Sequence, residues 1–217
     1  MSTDETVFLF DVDNTLLDND RVTADLRTFL AREIGEARCV RYFEIFEQLR
    51  SSLGYADYLG ALQQYRAEYL YDSHVLAVST FLIDYPFGSR LFPDSLAVLA
   101  DFRNRGTSVI LSDGDVVFQP RKIHRAGIFD AVAGNILVYV HKEEELQDVE
   151  RRYPAGRYVM VDDKIRILSA IKSLWQDRVT TVFVRQGHYA LDTAEVAKYP
   201  PADIQIEKIG DMSDLSF

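Results

Sequence analysis

Short apolar runs recur along the chain, and each closes on residues able to do chemistry. Val7 to Phe10 leads into Asp11, Asp13 and Asn14, and Ser108 to Leu111 leads into Ser112-Asp113-Gly114-Asp115. Ile136 to Val140 stops at His141-Lys142, Tyr158 to Val161 at Asp162-Asp163-Lys164, and Thr181 to Val184 at Arg185-Gln186-Gly187-His188. Such runs, bounded by polar turn formers, predict buried strands. Ile204 to Ile206 adds a last strand near the C-terminus. Between them the spacing predicts helices: Leu96, Leu99 and Phe102 up to Gly106; Leu146 and Val149 before Pro154; and Ile167, Leu168, Ile171, Leu174 and Trp175. Strands alternating with helices predict an α/β fold with a doubly wound parallel sheet. In such sheets ligands sit beyond the carboxyl ends of the strands, where all these polar groups fall, so the charged clusters should converge.

Residues 19–87 break the alternation. Val22, Leu26, Phe29, Leu30 and Ile34 keep helical spacing up to Gly35; Val40, Phe43, Phe46, Leu49 and Leu53 do so up to Gly54; Leu59, Leu62, Tyr65 and Tyr69 repeat it, and Val75 to Ile83 predicts a fourth helix. The expected plan is an α/β core of residues 1–18 and 88–217 with an all-helical cap, 19–87, inserted after the first strand. The insert follows the first carboxylate turn and is therefore placed to cover the strand ends.

Composition narrows the function. With 217 residues, 47% of them apolar, the chain can bury a sizeable core and is neither disordered nor fibrous. Its single cysteine, Cys39, excludes an intrachain disulfide and a thiolate zinc site, so a reducing compartment, the cytoplasm, is expected. The first ten residues carry no basic leader and their apolar run is far shorter than the ~20 residues of a membrane span. A formal charge of −10, from 24 basic and 34 acidic residues, argues against a nucleic acid polymer as partner and favours a bound cation. Small molecules are the expected substrates.

The segment Asp11-Val12-Asp13-Asn14-Thr15-Leu16-Leu17 puts two carboxylates at i and i+2 directly after a buried strand. Like charges in a low-dielectric setting repel unless a proton or cation intervenes, and Mg²⁺, which takes a few oxygen ligands and keeps water or phosphate in its remaining positions, suits them. Asp162 and Asp163 are further suppliers. Taken singly, each element has an ordinary reading: Asp, Asn and Thr favour turns and helix caps, Ser before Asp-Gly is common in turns, and most lysines are solvated. Their joint placement at strand ends is what points to a site.

The order DVDNTLL, then VILS, then a lone Lys, then VMVDD resembles the haloacid dehalogenase superfamily of hydrolases with a helical cap, in its phosphatase branch. FPDSLAVLADFRNRG, ahead of the serine strand, is similar to that superfamily's approach helix. The resemblance spans nearly the whole chain and implies a Rossmann-like core. It implies that Asp11 is a nucleophile forming an aspartyl phosphate, and that Asp13 protonates the leaving alkoxide and then deprotonates water. It further implies Mg²⁺ held by the Asp11 carboxylate, the Asp13 backbone carbonyl and Asp162. Ser112, N–H groups around Asp113 and Gly114, and Lys142 would bind phosphate, with Asp163 behind the metal ligands or reaching the ion through water. Val161 stands where the family more often has Gly, and no acid follows Asp162 by four residues, which leaves the roles of Asp162 and Asp163 open. Dehalogenating relatives generally lack an acid at the position of Asp13, because a halide leaves without a proton. The expected function is Mg²⁺-dependent hydrolysis of a small phosphorylated metabolite. A phosphomutase, a haloacid dehalogenase and a non-catalytic phospholigand-binding module are the alternatives.

Asp115 reads as an exposed loop acid, and His141, Arg185, Gln186 and His188 as strand-end residues within possible reach of substrate. Tyr42, Phe43, Phe46, Tyr55, Tyr58, Tyr65 and Tyr69 read as the cap's core and its seam with the sheet rather than a base-stacking platform. Arg121, Lys122, His124 and Arg125 read as a solvated helix face.

Overall fold

A computed structural model describes residues 5–217; the first four residues, and the part of the leader reading that falls on them, lie outside it. Six strands, β1 Thr6–Phe10, β2 Thr107–Asp113, β3 Ile136–Tyr139, β4 Arg157–Asp162, β5 Val179–Val184 and β6 Ile204–Ile206, form one sheet in the order β3-β2-β1-β4-β5-β6. Every neighbouring pair is parallel. The order reverses between β1 and β4, which opens a crevice at their carboxyl ends.

Alternation along β1 divides the core. Val7 and Leu9 face α8 (Leu146–Arg152) and α9 (Ile165–Trp175), packing with Val149, Leu168 and Ile171. Phe8 and Phe10 face the other layer, where Val98, Leu99 and Phe102 of α5 (Ser95–Arg105) and Ile123 of α6 (Phe118–Arg125) meet them. Three short helices, α7 (Ile128–Ala131), α10 (Gly187–Leu191) and α11 (Thr193–Val196), complete the connections. Gly106 ends α5 where a Cβ would stand 2.3 Å from Thr6 O, so only a glycine lets the chain turn into β2 against β1. Leu174, Val40 and Leu96, apolar positions of the sequence pattern, are not core, at 64%, 43% and 39% exposed, because the buried stripes of their helices are narrower than the apolar spacing implied.

The stretch from Asn19 to Asp84 holds four helices: α1 Asn19–Ile34, α2 Glu36–Leu53, α3 Tyr58–Glu68 and α4 Val75–Asp84. Gly35 separates the first two and Gly54, in the left-handed region, stops the second. Tyr42, Tyr58 and Tyr65 are buried among them, and the Tyr42 hydroxyl donates to Tyr58 O at 2.8 Å. The chain leaves and re-enters the sheet layer side by side: Asp18 N–H donates to Arg90 O and Phe92 N–H to Leu16 O. Tyr58 and Phe87 both pack on Phe118 of α6, with ring centroids 5.1 and 5.7 Å away, so one apolar cluster runs from the insert into the sheet layer. Among the described residues no helix is long and apolar enough to cross a membrane.

Candidate active site

The turn after β1 is wound on one carbonyl. Val12 O accepts from the N–H groups of Thr15, Leu16 and Leu17, and Asn14 adopts a positive φ of 63°. Asn14 Oδ1 then accepts from Asn19 N–H and Asp20 N–H, capping α1, while Thr15 Oγ1 accepts from Asp163 N–H at 3.0 Å. These bonds fix the end of β1 to the end of β4. Asp11, Asp162 and Asp163 are buried there, and one carboxylate oxygen of each lies within 4.8 Å of the others.

Lys142 arrives from the end of β3 across β2. Its Nζ lies 2.5 Å from Asp11 Oδ1, 2.7 Å from Asp162 Oδ2 and 3.2 Å from Leu111 O, while its N–H donates to Asp113 Oδ1 at 2.8 Å. Asp113 thus anchors the backbone that carries the lysine. Burial alone would discharge the ammonium, but Asp11, Asp162 and Asp113 outweigh it and raise its pKa. Burial and the charge of Asp11 push Asp162 up to about 6, despite Lys142 and Lys164. Asp163 is pushed well above its ordinary value, first by burial and then by Asp162.

Asp11 Oδ2 and both carboxylate oxygens of Asp163 have no hydrogen-bond partner, and Asp162 Oδ2 has only the adjacent ammonium. Buried carboxylate oxygens are costly without a partner. An all-oxygen, strongly acidic donor set with orphaned atoms fits a hard divalent cation, and Asp11, Asp162 and Asp163 would hold it. Asp163 lies in this cluster beside Asp162, so both of the carboxylates whose roles the sequence left open face the same place.

Asp13 stays outside this triad. Its carboxylate is held by Lys122 Nζ at 2.6 and 2.9 Å, and that ammonium also donates to Asn19 Oδ1 at 3.1 Å. The Lys122 side chain is 1% exposed and that of Asp13 22%, so the reading of Lys122 as part of a solvated face is wrong. Phe118, Gln119, Lys122 and Ile123 form the buried face of α6, leaving Arg121, His124 and Arg125 outside. Ser112, at the end of β2, is buried, and its Oγ accepts from Gln119 Nε2 at 2.9 Å. Gly114 N–H is committed to Tyr139 O at 2.9 Å, so this donor is not free for a phosphate as the sequence reading expected. The close approach that Gly114 permits is that of Gln119, whose Cβ would lie 2.8 Å from an added Cβ. Asp115 caps α6, accepting from Val117 and Phe118 N–H groups.

A cavity of about 390 Å³ lies between the strand ends and the insert, reached by Asp13, Asp113 and Lys164 from one side and Phe46, Arg50 and Tyr55 from the other. Lys164 stays charged, because Asp163, Asp11 and Asp162 outweigh its burial. His188 and Tyr189 also line the cavity, and His188 Nδ1 meets Asp20 Oδ1 at 2.6 Å. Gln186 instead serves the fold, donating to Thr15 O and accepting from Ile209 N–H, and Arg185 pairs with Glu207. His141 packs against the loop after α2, where an added Cβ on Gly54 would stand 2.2 Å from its ring. The cap aromatics divide: Tyr42, Phe43, Phe46, Tyr58 and Tyr65 are core, and Tyr55 is only half-buried.

Residues 6–174 match the family model of the haloacid dehalogenase-like hydrolases. A protein of Burkholderia xenovorans LB400, described as a haloacid dehalogenase-like hydrolase, is 58% identical, with 99% of this chain and 100% of that chain covered and a TM-score of 0.94. The HAD-hydrolase YfnB of Bacillus subtilis, solved with magnesium, shares the fold at 15% identity and a TM-score of 0.64, covering 97% of this chain and 98% of the other. L-2-haloacid dehalogenase of Xanthobacter autotrophicus does so at 19% identity and 0.61, covering 96% of each chain. No curated protein matches the chain.

Proposed function

The chain belongs to the haloacid dehalogenase-like hydrolase family, and from that premise we propose that it hydrolyses a small phosphomonoester through an aspartyl phosphate on Asp11. The observation that carries this reading is Asp13: a carboxylate two residues beyond Asp11, lining the cavity and clamped by a buried lysine. A departing alkoxide requires a proton and a halide does not, so a held acid at this place favours phosphoryl transfer over dehalogenation.

Asp11, with one oxygen fixed by Lys142, attacks phosphorus in line; the ester P–O bond breaks, and Asp13, which takes a proton from the monoanionic ester as it binds, gives that proton to the departing oxygen. Asp13, now a carboxylate steadied by Lys122, takes a proton from water, which attacks phosphorus and breaks the bond to Asp11. Inorganic phosphate leaves and both aspartates are restored. Lys142 holds positive charge beside Asp11 and the phosphoryl oxygens, and Ser112, oriented by Gln119, donates to one of them. Asp11, Asp162 and Asp163 would hold a magnesium ion, which would supply charge neutralisation for the meeting of an anionic nucleophile with an anionic ester. Helices α1 to α4 act as a cap that selects a small phosphorylated metabolite and excludes stray water, and the protein works in the cytoplasm.

The test is phosphate release from a panel of sugar phosphates, nucleotides and phospho-acids, with and without Mg²⁺, alongside chloride release from L-2-chloropropionate. Phosphate release that requires Mg²⁺ and is abolished in Asp11→Asn is expected. Chloride release without phosphate release would replace the reading by dehalogenation.

A further inference from the structure

The cavity's charges are nearly all spent. Asp13 is held by Lys122, Asp20 by His188 and Asn14, Glu47 by Arg50, and Asp113 by the Lys142 N–H. Lys164 differs. It stands between the acidic pair at the end of β4 and α9, its N–H bonded to Asp162 Oδ1, with its side chain lining the cavity. Among the described residues its ammonium makes no hydrogen bond and no ion pair within 4.0 Å, and lies 5.0 Å over the ring of Tyr189. The hydroxyl of the same tyrosine accepts from Arg50 Nη1 at 3.1 Å. Tyr189 is thus flanked by a cation from the β4 loop and a cation from α2, one on each side of the cavity.

We propose that Lys164, with Tyr189 and Arg50, forms a subsite for a carboxylate on the leaving group, so that the substrate is a phosphomonoester of a small hydroxy acid. This inference rests on the hydrolytic reading of the same site. One ammonium without a hydrogen-bonded partner matches one negative charge, whereas a second phosphate would bring two into a cavity that already holds Asp20 and Glu47. The volume of about 390 Å³ suits a phosphoryl group with a few carbons and one further polar head. Arg50 and the Tyr189 hydroxyl add donors that a carboxylate can share and a neutral alcohol uses less well.

The experiment compares 3-phosphoglycerate with glycerol 3-phosphate, which differ at a carboxylate against a hydroxymethyl group, using wild type, Lys164→Met and Lys164→Arg with Mg²⁺. Wild type is expected to favour the carboxylate ester at least tenfold in kcat/KM. Lys164→Met should lose that preference through KM, and Lys164→Arg should recover most of it. Equal losses on both esters would overturn the proposal and assign Lys164 to charge balance around Asp11, Asp162 and Asp163. Calorimetric binding of the same two esters to the same three proteins, with Mg²⁺ left out, reads the subsite without turnover. No phosphate release from any ester would remove the hydrolytic reading, whereas equal binding of the two esters by wild type would remove the subsite alone.

Discussion

Replacing Lys122 by Met keeps the length of the side chain and removes its ammonium. Three contacts go with it: two to Asp13, at 2.6 and 2.9 Å, and one to Asn19 at 3.1 Å. Breaking a fully buried ion pair costs about 3–5 kcal/mol, chiefly from the charge left behind. Here the Asp13 carboxylate is 22% exposed on the cavity side, so water can reach it. The expected loss is therefore about 2–3 kcal/mol, or roughly 5–10 °C in Tm for a domain of this size. Activity should fall differently for different esters. An unclamped Asp13 that drifts by about 1 Å should cost up to about 100-fold in kcat/KM for an alkyl phosphate, which needs a proton on its leaving oxygen. For p-nitrophenyl phosphate, whose phenolate leaves unaided, the loss in kcat/KM should stay within about threefold, since the base role of Asp13 enters only after the leaving group has gone and falls on kcat alone. Steady-state phosphate and nitrophenol release, with melts of both proteins, provide the assay. Equal losses on the two esters would show that Lys122 acts through the general fold rather than through Asp13, and unchanged kinetics would show that the clamp has no function.

Two further outcomes follow from the same geometry. Asp162 titrates near 6, above its ordinary value, so the folded protein binds a proton there that the unfolded chain releases. Stability without metal should then fall as pH rises from about 4 through 6, and the rise in Tm on adding Mg²⁺ should be large at pH 8 and shrink below pH 6 as protons compete for the carboxylates. A Tm shift independent of pH would exclude the acidic triad as the binding site. Gly54→Val places a Cβ 2.2 Å from the His141 ring at a φ of +81°. Loss of about 1–2 kcal/mol from the left-handed backbone is expected, with KM raised more than kcat is lowered because the loop after α2 is pushed off the cavity rim; kinetics identical to wild type would show that this loop takes no part in substrate binding.

Much of this was written in local pattern. β1 and β4 are buried on both faces and therefore read as unbroken apolar runs, and the carboxylates follow them directly. Asp11, Lys142, Asp162 and Asp163 converge because a parallel sheet brings all its strand ends to one edge, a consequence of topology that alternation alone implies. Lys122 escaped because its neighbours Arg121, His124 and Arg125 have the composition of a solvated face. The usable signal was its spacing of four from Phe118, with Gln119 and Ile123 one position on, which sets all four on a single buried face. The roles of Asp162 and Asp163 stayed open in the sequence for another reason: the bond from Asp163 N–H to Thr15 that fixes this turn is a long-range contact with no local signature. The Gly114 N–H is likewise captured by Tyr139 O, on a strand well further along the chain. Lys164 has the ordinary look of a helix-start lysine until the cavity beside it is seen.

The covalent role of Asp11 is reached most directly by trapping. An ester labelled with radioactive phosphate is mixed with enzyme and Mg²⁺, quenched in acid within milliseconds, and the digested protein is mapped by mass. Label on the peptide that carries Asp11, formed and lost at rates compatible with turnover, is the expected result. Turnover with no labelled protein at any quench time, or label on a peptide lacking Asp11, would contradict it.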